Sequence, residues 1–218
     1  MDFEPVYCHS FKIPGVTIGM REECLHWRPV IAGSGQDGTL ALRLVLLVPD
    51  RSVKDCRPNY LEDYSALVVL NKDGSERWRY ECDLAPLSPF IDSADRFYAV
   101  RRYGRESSSL LQFTSDGQLL LEFTASGQIT SLLVLETLGR IVLEVDTAAS
   151  RSDCFSDWVD KHLLILDRDG QLLSSYRFPE TYFIRHEQEA RTRFVAPNEL
   201  YLALRHDGKE ITGCLQLE

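Results

Sequence analysis

Ala66-Leu67-Val68-Val69-Leu70-Asn71-Lys72-Asp73-Gly74-Ser75-Glu76-Arg77-Trp78-Arg79-Tyr80 is an apolar run, a polar pair, Asp-Gly, and a second run that ends on an aromatic residue. The same pattern returns at Leu110–Phe123 (LLQFTSDGQLLLEF) and at Leu163–Phe178 (LLILDRDGQLLSSYRF). Asp-Gly between two apolar runs is a strong hairpin signal, because glycine reaches positive φ without a Cβ clash and closes a two-residue turn. The pairs Asp73-Gly74, Asp116-Gly117 and Asp169-Gly170 are spaced by 43 and 53 residues.

A hairpin recurring at that period marks one four-stranded unit per repeat, the blade of a β-propeller. The repeated hairpin then holds the outer strands, C and D, of each blade. Reading backward recovers the inner pair, A and B. In the first unit A is Leu25–Ile31 and B is Leu40–Val48, joined by a loose glycine-rich turn over Gly33–Gly38. In the second, A is Ser88–Ile91 and B is Arg96–Arg101, with Asp92–Asp95 as the turn. In the third, A is Ile129–Glu136 and B is Arg140–Val145, turning at Leu138-Gly139.

A fourth unit follows with Arg191–Ala196, Leu200–Arg205 and Ile211–Leu217 as A, B and C. Its D strand is expected from Pro5–Ile13, so that the N-terminal strand pairs with the C-terminal blade and closes the ring. Closure removes sheet edges that invite aggregation. The expected fold is therefore all-β, a small four-blade propeller filling residues 1–218 as a single domain. Two stacked sheets are the rival layout for the same strands.

Composition bounds the function. The chain has 218 residues and a formal net charge of −9, against the basic surface a general nucleic-acid binder needs. The field of such a chain speeds encounter with a basic protein. The start, Met1-Asp2-Phe3-Glu4-Pro5, lacks a basic region followed by an apolar one. The apolar run Leu44–Val48 is far too short for a membrane span. Cys8, Cys24, Cys56, Cys82, Cys154 and Cys214 are scattered without a CxxC pair, which favours reduced thiols and a cytoplasmic protein; three disulfides are the alternative.

Leu67, Val69, Leu70, Asn71, Asp73, Gly74 and Trp78, followed by Ser88, Pro89, Ile91, Asp92, Asp95, Tyr98 and Val100, resemble the repeat of quinoprotein-type (PQQ-like) β-propellers. The resemblance covers about a sixth of the chain. Leu121, and Ser175 or Tyr176, stand where later repeats would carry the tryptophan. Enzymes of that family hold a quinone and a calcium ion near the axis. The adjacent-cysteine pair and stacking tryptophan expected of them do not occur here, so the resemblance implies a scaffold and no cofactor.

Other motifs weaken on inspection. His186-Glu187-Gln188-Glu189 begins like a zincin, but Ala190 stands where the second histidine is required. Gly33-Ser34-Gly35-Gln36-Asp37-Gly38 runs into Thr39-Leu40-Ala41-Leu42, which reads as strand, whereas a phosphate cradle runs into a helix. No GxSxG elbow is present. Asp92, Glu136, Glu144 and Asp146 read as strand carboxylates that could supply an axial acid pair, for which a separation of about 5–10 Å is required.

The strongest candidate for a site is topological. In a propeller the B–C and D–A loops leave from one face, and two B–C loops here are long: Pro49–Tyr64 and Asp146–Lys161. They carry Asp55, Tyr60, Glu62, Asp63 and Tyr64 in the first, and Asp153, Phe155, Asp157, Trp158 and Asp160 in the second. Aromatics among acids on a rigid scaffold suit protein recognition with steering toward a basic partner. The expectation is a non-catalytic protein-binding propeller. By analogy of type it is similar to immunity proteins that neutralise basic nuclease toxins, with no direct contact to nucleic acid or membrane. An enzyme or carbohydrate-binding propeller with axial carboxylates, and a scaffold subunit of a larger complex, are the alternatives.

Overall fold

The structure, a computed structural model, describes residues 26–35, 37–49, 60–104, 106–148, 159–178, 182–183, 193–196, 199–206 and 209–216. These form four four-stranded sheets. The first runs in order through β1 (His26–Ser34), β2 (Leu40–Pro49), β3 (Tyr60–Leu70) and β4 (Glu76–Glu81). The second is β5 (Phe90–Ile91), β6 (Phe97–Tyr103), β7 (Ser107–Phe113) and β8 (Leu119–Ser126). The third is β9 (Gln128–Leu135), β10 (Arg140–Ala148), β11 (Val159–Asp167) and β12 (Leu172–Phe178), each neighbour antiparallel.

The fourth sheet centres on β15 (Glu199–His206), with β16 (Lys209–Gln216) on one side. β14 (Arg193–Ala196) and the two-residue β13 (Tyr182–Phe183) lie on the other. β14, β15 and β16 match the A, B and C strands expected here, while β13 was not foreseen. Pro5–Ile13, the expected closing strand, and His186–Glu189 lie outside the described residues.

The chain divides into two compact units: Met1–Arg101 with Leu110–Glu122, and Arg102–Ser109 with Phe123–Glu218. In the first unit, Ala41, Leu67 and Val69 of one sheet pack on Phe97, Ala99, Leu111 and Phe113 of the next. The opposite face of the first sheet buries Leu42, Leu44, Ala66, Val68 and Leu70. Because the inner parts of β2 and β3 are covered on both faces, Leu44-Val45 and Ala66–Leu70 read as unbroken apolar runs instead of alternating ones. In the second unit Ile141, Val142, Leu143 and Val145 of β10 and Leu163, Ile165 and Leu166 of β11 are buried in the same two-sided manner.

Trp78 joins the first two repeats. Its ring meets Phe97 edge-on at 5.1 Å and lies tilted on Phe113 at 5.5 Å. The indole N–H donates to the Ser115 carbonyl at 3.1 Å, in the β7–β8 turn.

The Asp-Gly turns are not two-residue turns. In each, one N–H closes an i→i+3 bond and a second pair spans five residues: Gly74 to Asn71 and Asn71 to Ser75, Gly117 to Thr114 and Thr114 to Gln118, Gly170 to Asp167 and Asp167 to Gln171. This is the three-residue loop in which a type I turn is followed by a left-handed glycine, and only Gly74, Gly117 and Gly170 have positive φ. The expected loose turn at Gly33–Gly38 closes in the same way, with Gly38 bonded to Gly35 and Gly35 to Thr39, while Gly33 and Ser34 belong to β1. Its Asp37 carboxylate accepts from both the Thr39 backbone and hydroxyl at 2.8 Å, which is why the turn is ordered.

These turn carboxylates give the protein an acid-sensitive edge. Hydrogen bonds from Thr39, Ser75 and Thr114 hold Asp37, Asp73 and Asp116 below their ordinary value of 3.8. A depressed folded-state value contributes stability that is present above the ordinary carboxylate range and is lost as pH falls through the lowered values. Replacing all three by Asn is expected to flatten the fall in melting temperature below about pH 4 relative to the parent, with no change in slope between about pH 5 and 7. Parallel acid limbs in thermal melts of the two proteins would show that the carboxylates contribute nothing.

Candidate functional site

The two ends of the first and third sheets differ. At one end lie the tight turns; at the other, β2–β3 and β10–β11 lead into residues 50–59 and 149–158. That second end is built by a buried serine occurring at the same place in two repeats. Ser65 on β3 donates to the Cys82 carbonyl at 2.6 Å and accepts from the Leu84 N–H at 2.9 Å. Ser108 on β7 does the same with Gly127 O at 2.9 Å and Ile129 N at 2.7 Å. Each hydroxyl therefore clamps the connection from a D strand to the next A strand.

In the third repeat the corresponding position, eight residues before the turn aspartate in all three, is Lys161. Lys161 is buried and bonded to Asp146 at 2.8 Å, directly across from it on β10. A buried ion pair stands where the other repeats have a serine clamp, at the base of the 149–158 segment. Gly127 sits against the same strand, where an added Cβ would come within 2.6 Å of the Asp146 carbonyl. Next to it, Gln128 reaches back with its amide to Gly104 O at 3.3 Å and Ser107 O at 3.0 Å, pinning the β6–β7 hairpin. Tyr103 stands at that hairpin, 38% exposed.

Several of the expected site residues are placed differently. Tyr60, Glu62, Asp63 and Tyr64 belong to β3; Tyr60, Glu62 and Tyr64 pair with Pro49, Leu47 and Leu46 of β2, and Asp63 is the residue skipped at the register shift. Asp160 belongs to β11, opposite Thr147. Both ladders run past the point where the polar residues begin, because main-chain pairing does not depend on side-chain polarity. Asp55, Asp153, Phe155, Asp157 and Trp158 lie outside the described residues.

The carboxylates considered for an axial acid pair are also redistributed. Asp92 lies in the expected turn over Asp92–Asp95, Glu136 lies in a turn rather than at the end of a strand, and Glu144 and Asp146 lie on β10, the second strand of its sheet. Asp92 is almost wholly buried and its two oxygens are committed. Oδ1 accepts from Ala94 N and Arg96 N, both at 2.9 Å; Oδ2 accepts from the Arg96 guanidinium at 2.7 Å and from the Tyr98 hydroxyl at 2.9 Å. Gln112 Nε2 in turn donates to the Tyr98 oxygen at 3.1 Å. Burial, then the Asp92 charge, pushes the Tyr98 phenol far above its ordinary value, so it stays protonated and donating. The network ties the β5–β6 turn to β7 and leaves no oxygen of Asp92 aimed at a substrate.

The thiols of Cys82 and Cys214 are free, and burial pushes Cys82 up to about 12, which keeps it an unreactive thiol. Among the described residues no group of three or more His, Cys, Asp or Glu side chains could hold a metal ion, and no helix is long and apolar enough to cross a membrane.

No protein-family model matches the chain, and no curated protein matches it either. Among solved structures it is similar to the acylaminoacyl peptidase of Pyrococcus horikoshii, at 16% identity over 86% of this chain with a TM-score of 0.51. It is also similar to the β-propeller domain of the Trilobed protease from Pyrococcus furiosus, at 15% identity over 85% of this chain with a TM-score of 0.47. The chain spans 32% of the length of the first and 57% of the second. These likenesses concern the fold alone: the chain is all-β and made of antiparallel sheets.

Proposed function

We propose that this chain is a non-catalytic protein-binding β-propeller, a single domain of four blades closed by its N-terminal strand, that acts in the cytoplasm as the inhibitor or immunity partner of a basic toxin of nuclease type. The observation that carries the reading is the asymmetry of the sheets. Three-residue turns close one end, while at the other the β2–β3 ladder carries Tyr60, Glu62, Asp63 and Tyr64, the β10–β11 ladder carries Asp160, and the sequence next to it holds Asp153, Phe155, Asp157 and Trp158. Long segments on a rigid frame are the usual carriers of recognition. The state of Asp92, fully used inside the protein, favours binding over chemistry at an axial carboxylate.

The test uses the purified product of the reading frame next to this chain's own as the partner. Trp158→Ala with Tyr60→Ala is expected to weaken binding about 30-fold or more while the melting temperature holds, since truncated aromatic anchors commonly cost about 2 kcal/mol or more. Neutralising Asp153, Asp157 and Asp160 is expected to slow association and flatten its salt dependence. Binding unaffected by all five changes would sink the proposal.

A further inference from the structure

Four hairpins close through the same five-residue loop, over 35–39, 71–75, 114–118 and 167–171, with Asp-Gly at its third and fourth positions. A further pair, Asp207-Gly208, lies outside the described residues. In all four loops the aspartate is exposed, and the glycine N–H donates to the carbonyl of the first loop residue at 2.8 to 3.2 Å. What differs is the carboxylate. Asp37 accepts from the Thr39 N–H and hydroxyl, both at 2.8 Å, and Asp73 from the Ser75 N–H at 2.9 Å and hydroxyl at 2.6 Å. Asp116 accepts from the Thr114 hydroxyl and from Gln118 Nε2 at 3.0 Å. In the third repeat Asp167, the first loop residue, takes over the task. Its Oδ1 accepts from the Asp169 N–H at 2.9 Å and from the Gln171 N–H at 2.8 Å. The Asp169 carboxylate is left exposed, with no hydrogen bond or ion pair among the described residues.

We infer that Asp169 is a site of spontaneous covalent modification, converting to isoaspartate in the folded protein ahead of the three aspartates whose carboxylates are held. The Gly170 nitrogen attacks Asp169 Cγ. The N–Cγ bond forms, and the hydroxyl of the protonated carboxyl leaves with the amide proton as water. A second water opens the succinimide at the α-carbonyl, breaking the original peptide bond, and the chain then runs through the side-chain carboxyl. Opening at Cγ returns aspartate instead. Glycine as the attacking residue has no Cβ to hinder the approach. The attack needs the carboxyl to swing onto the glycine nitrogen. At Asp37, Asp73 and Asp116 two hydrogen bonds have to be given up first, which slows the step by about tenfold or more. The product has one more backbone methylene in the loop that sets the β11–β12 register, so the modification acts on that pairing. It does not depend on the partner proposed above.

The experiment holds the intact protein for weeks in warm, near-neutral buffer, with and without concentrated urea, and counts isoaspartate at each Asp-Gly pair by peptide mapping. In the folded parent, Asp169 is expected to convert about tenfold or more faster than Asp37, Asp73 or Asp116, and the four rates are expected to converge in urea. Thr114→Val with Gln118→Leu removes both partners of the Asp116 carboxylate. In that variant, with folding checked by its melting curve, Asp116 is expected to approach the rate of Asp169. Equal rates at the four sites of the folded parent, or a lead at any of the other three, would overturn the inference. A lead for Asp169 of the same size in urea would overturn it too, since sequence and not hydrogen bonding would then set the rate. An unchanged Asp116 rate in a folded double variant would remove the hydrogen bonds as the cause, and the inference with them.

Discussion

Trp78→Ala is expected to cost about 3–5 kcal/mol, a large share of the roughly 5–15 kcal/mol that holds a domain folded. The indole fills the space between the first two repeats, against Phe97 and Phe113, and its removal leaves a cavity there. It also strands the Ser115 carbonyl, which loses the indole N–H. For a chain of this length the midpoint should drop by about 10 °C or more. The contact has a second signature on its other side. A Cβ at Gly117 would lie 2.8 Å from Trp78 Cγ and Cδ2, at a φ of +86°, so Gly117→Ala is destabilising through both clash and backbone strain. In the Trp78→Ala background the clash with Cγ and Cδ2 is gone, and the strain and a 3.2 Å contact with the remaining Cβ are left. The double variant should therefore be less destabilised than the sum of the singles, a non-additivity that urea melts of the four proteins would measure. Strict additivity, or a loss below about 1 kcal/mol for Trp78→Ala, would remove Trp78 from the core.

The strands were legible because the repeat states each hairpin twice over, in an apolar run and in the Asp-Gly that ends it. What was missed is conformational detail that residue identity does not separate. Asp-Gly serves a two-residue turn with both residues at positive φ and equally a three-residue loop with only glycine there. Here the carboxylate of Asp73 holds Ser75 and that of Asp167 holds Asp169 and Gln171, interactions that belong to the longer loop. The serine clamp was present in the sequence as Ser65 and Ser108, each eight residues before its aspartate, but serine in a strand carries no recognisable signal until the connection it holds is seen. Lys161 is informative only by comparison with those serines. Polarity misplaced the ends of β3 and β11, since Tyr60, Glu62, Asp63, Tyr64 and Asp160 look like loop residues and lie within strands.

Asp92 gives the second large effect, and it changes how the enzyme alternative must be tested. Sequence reading places Asp92, with Glu136, Glu144 and Asp146, among the carboxylates that could supply an axial acid pair. In the structure, Asp92→Ala removes the acceptor for two backbone N–H groups, the Arg96 guanidinium and the Tyr98 hydroxyl at once. Breaking a buried ion pair from one side costs about 3–5 kcal/mol, because the group left behind is desolvated and uncompensated. Any loss of activity in that variant would then follow from unfolding and say nothing about catalysis. Asp92→Asn keeps acceptors for the turn and should fall between, while Tyr98→Phe, which strands only Gln112 Nε2, should cost about 1–3 kcal/mol. The order Asp92→Ala, Asp92→Asn, Tyr98→Phe in decreasing damage, read from chemical denaturation, is the mark of a structural network. A catalytic carboxylate gives the reverse pattern: Asp92→Ala melts with the parent, and a chemical activity disappears. Glu144, on β10 and outside this network, remains the residue whose replacement separates binding from chemistry without first unfolding the turn that Asp92 builds.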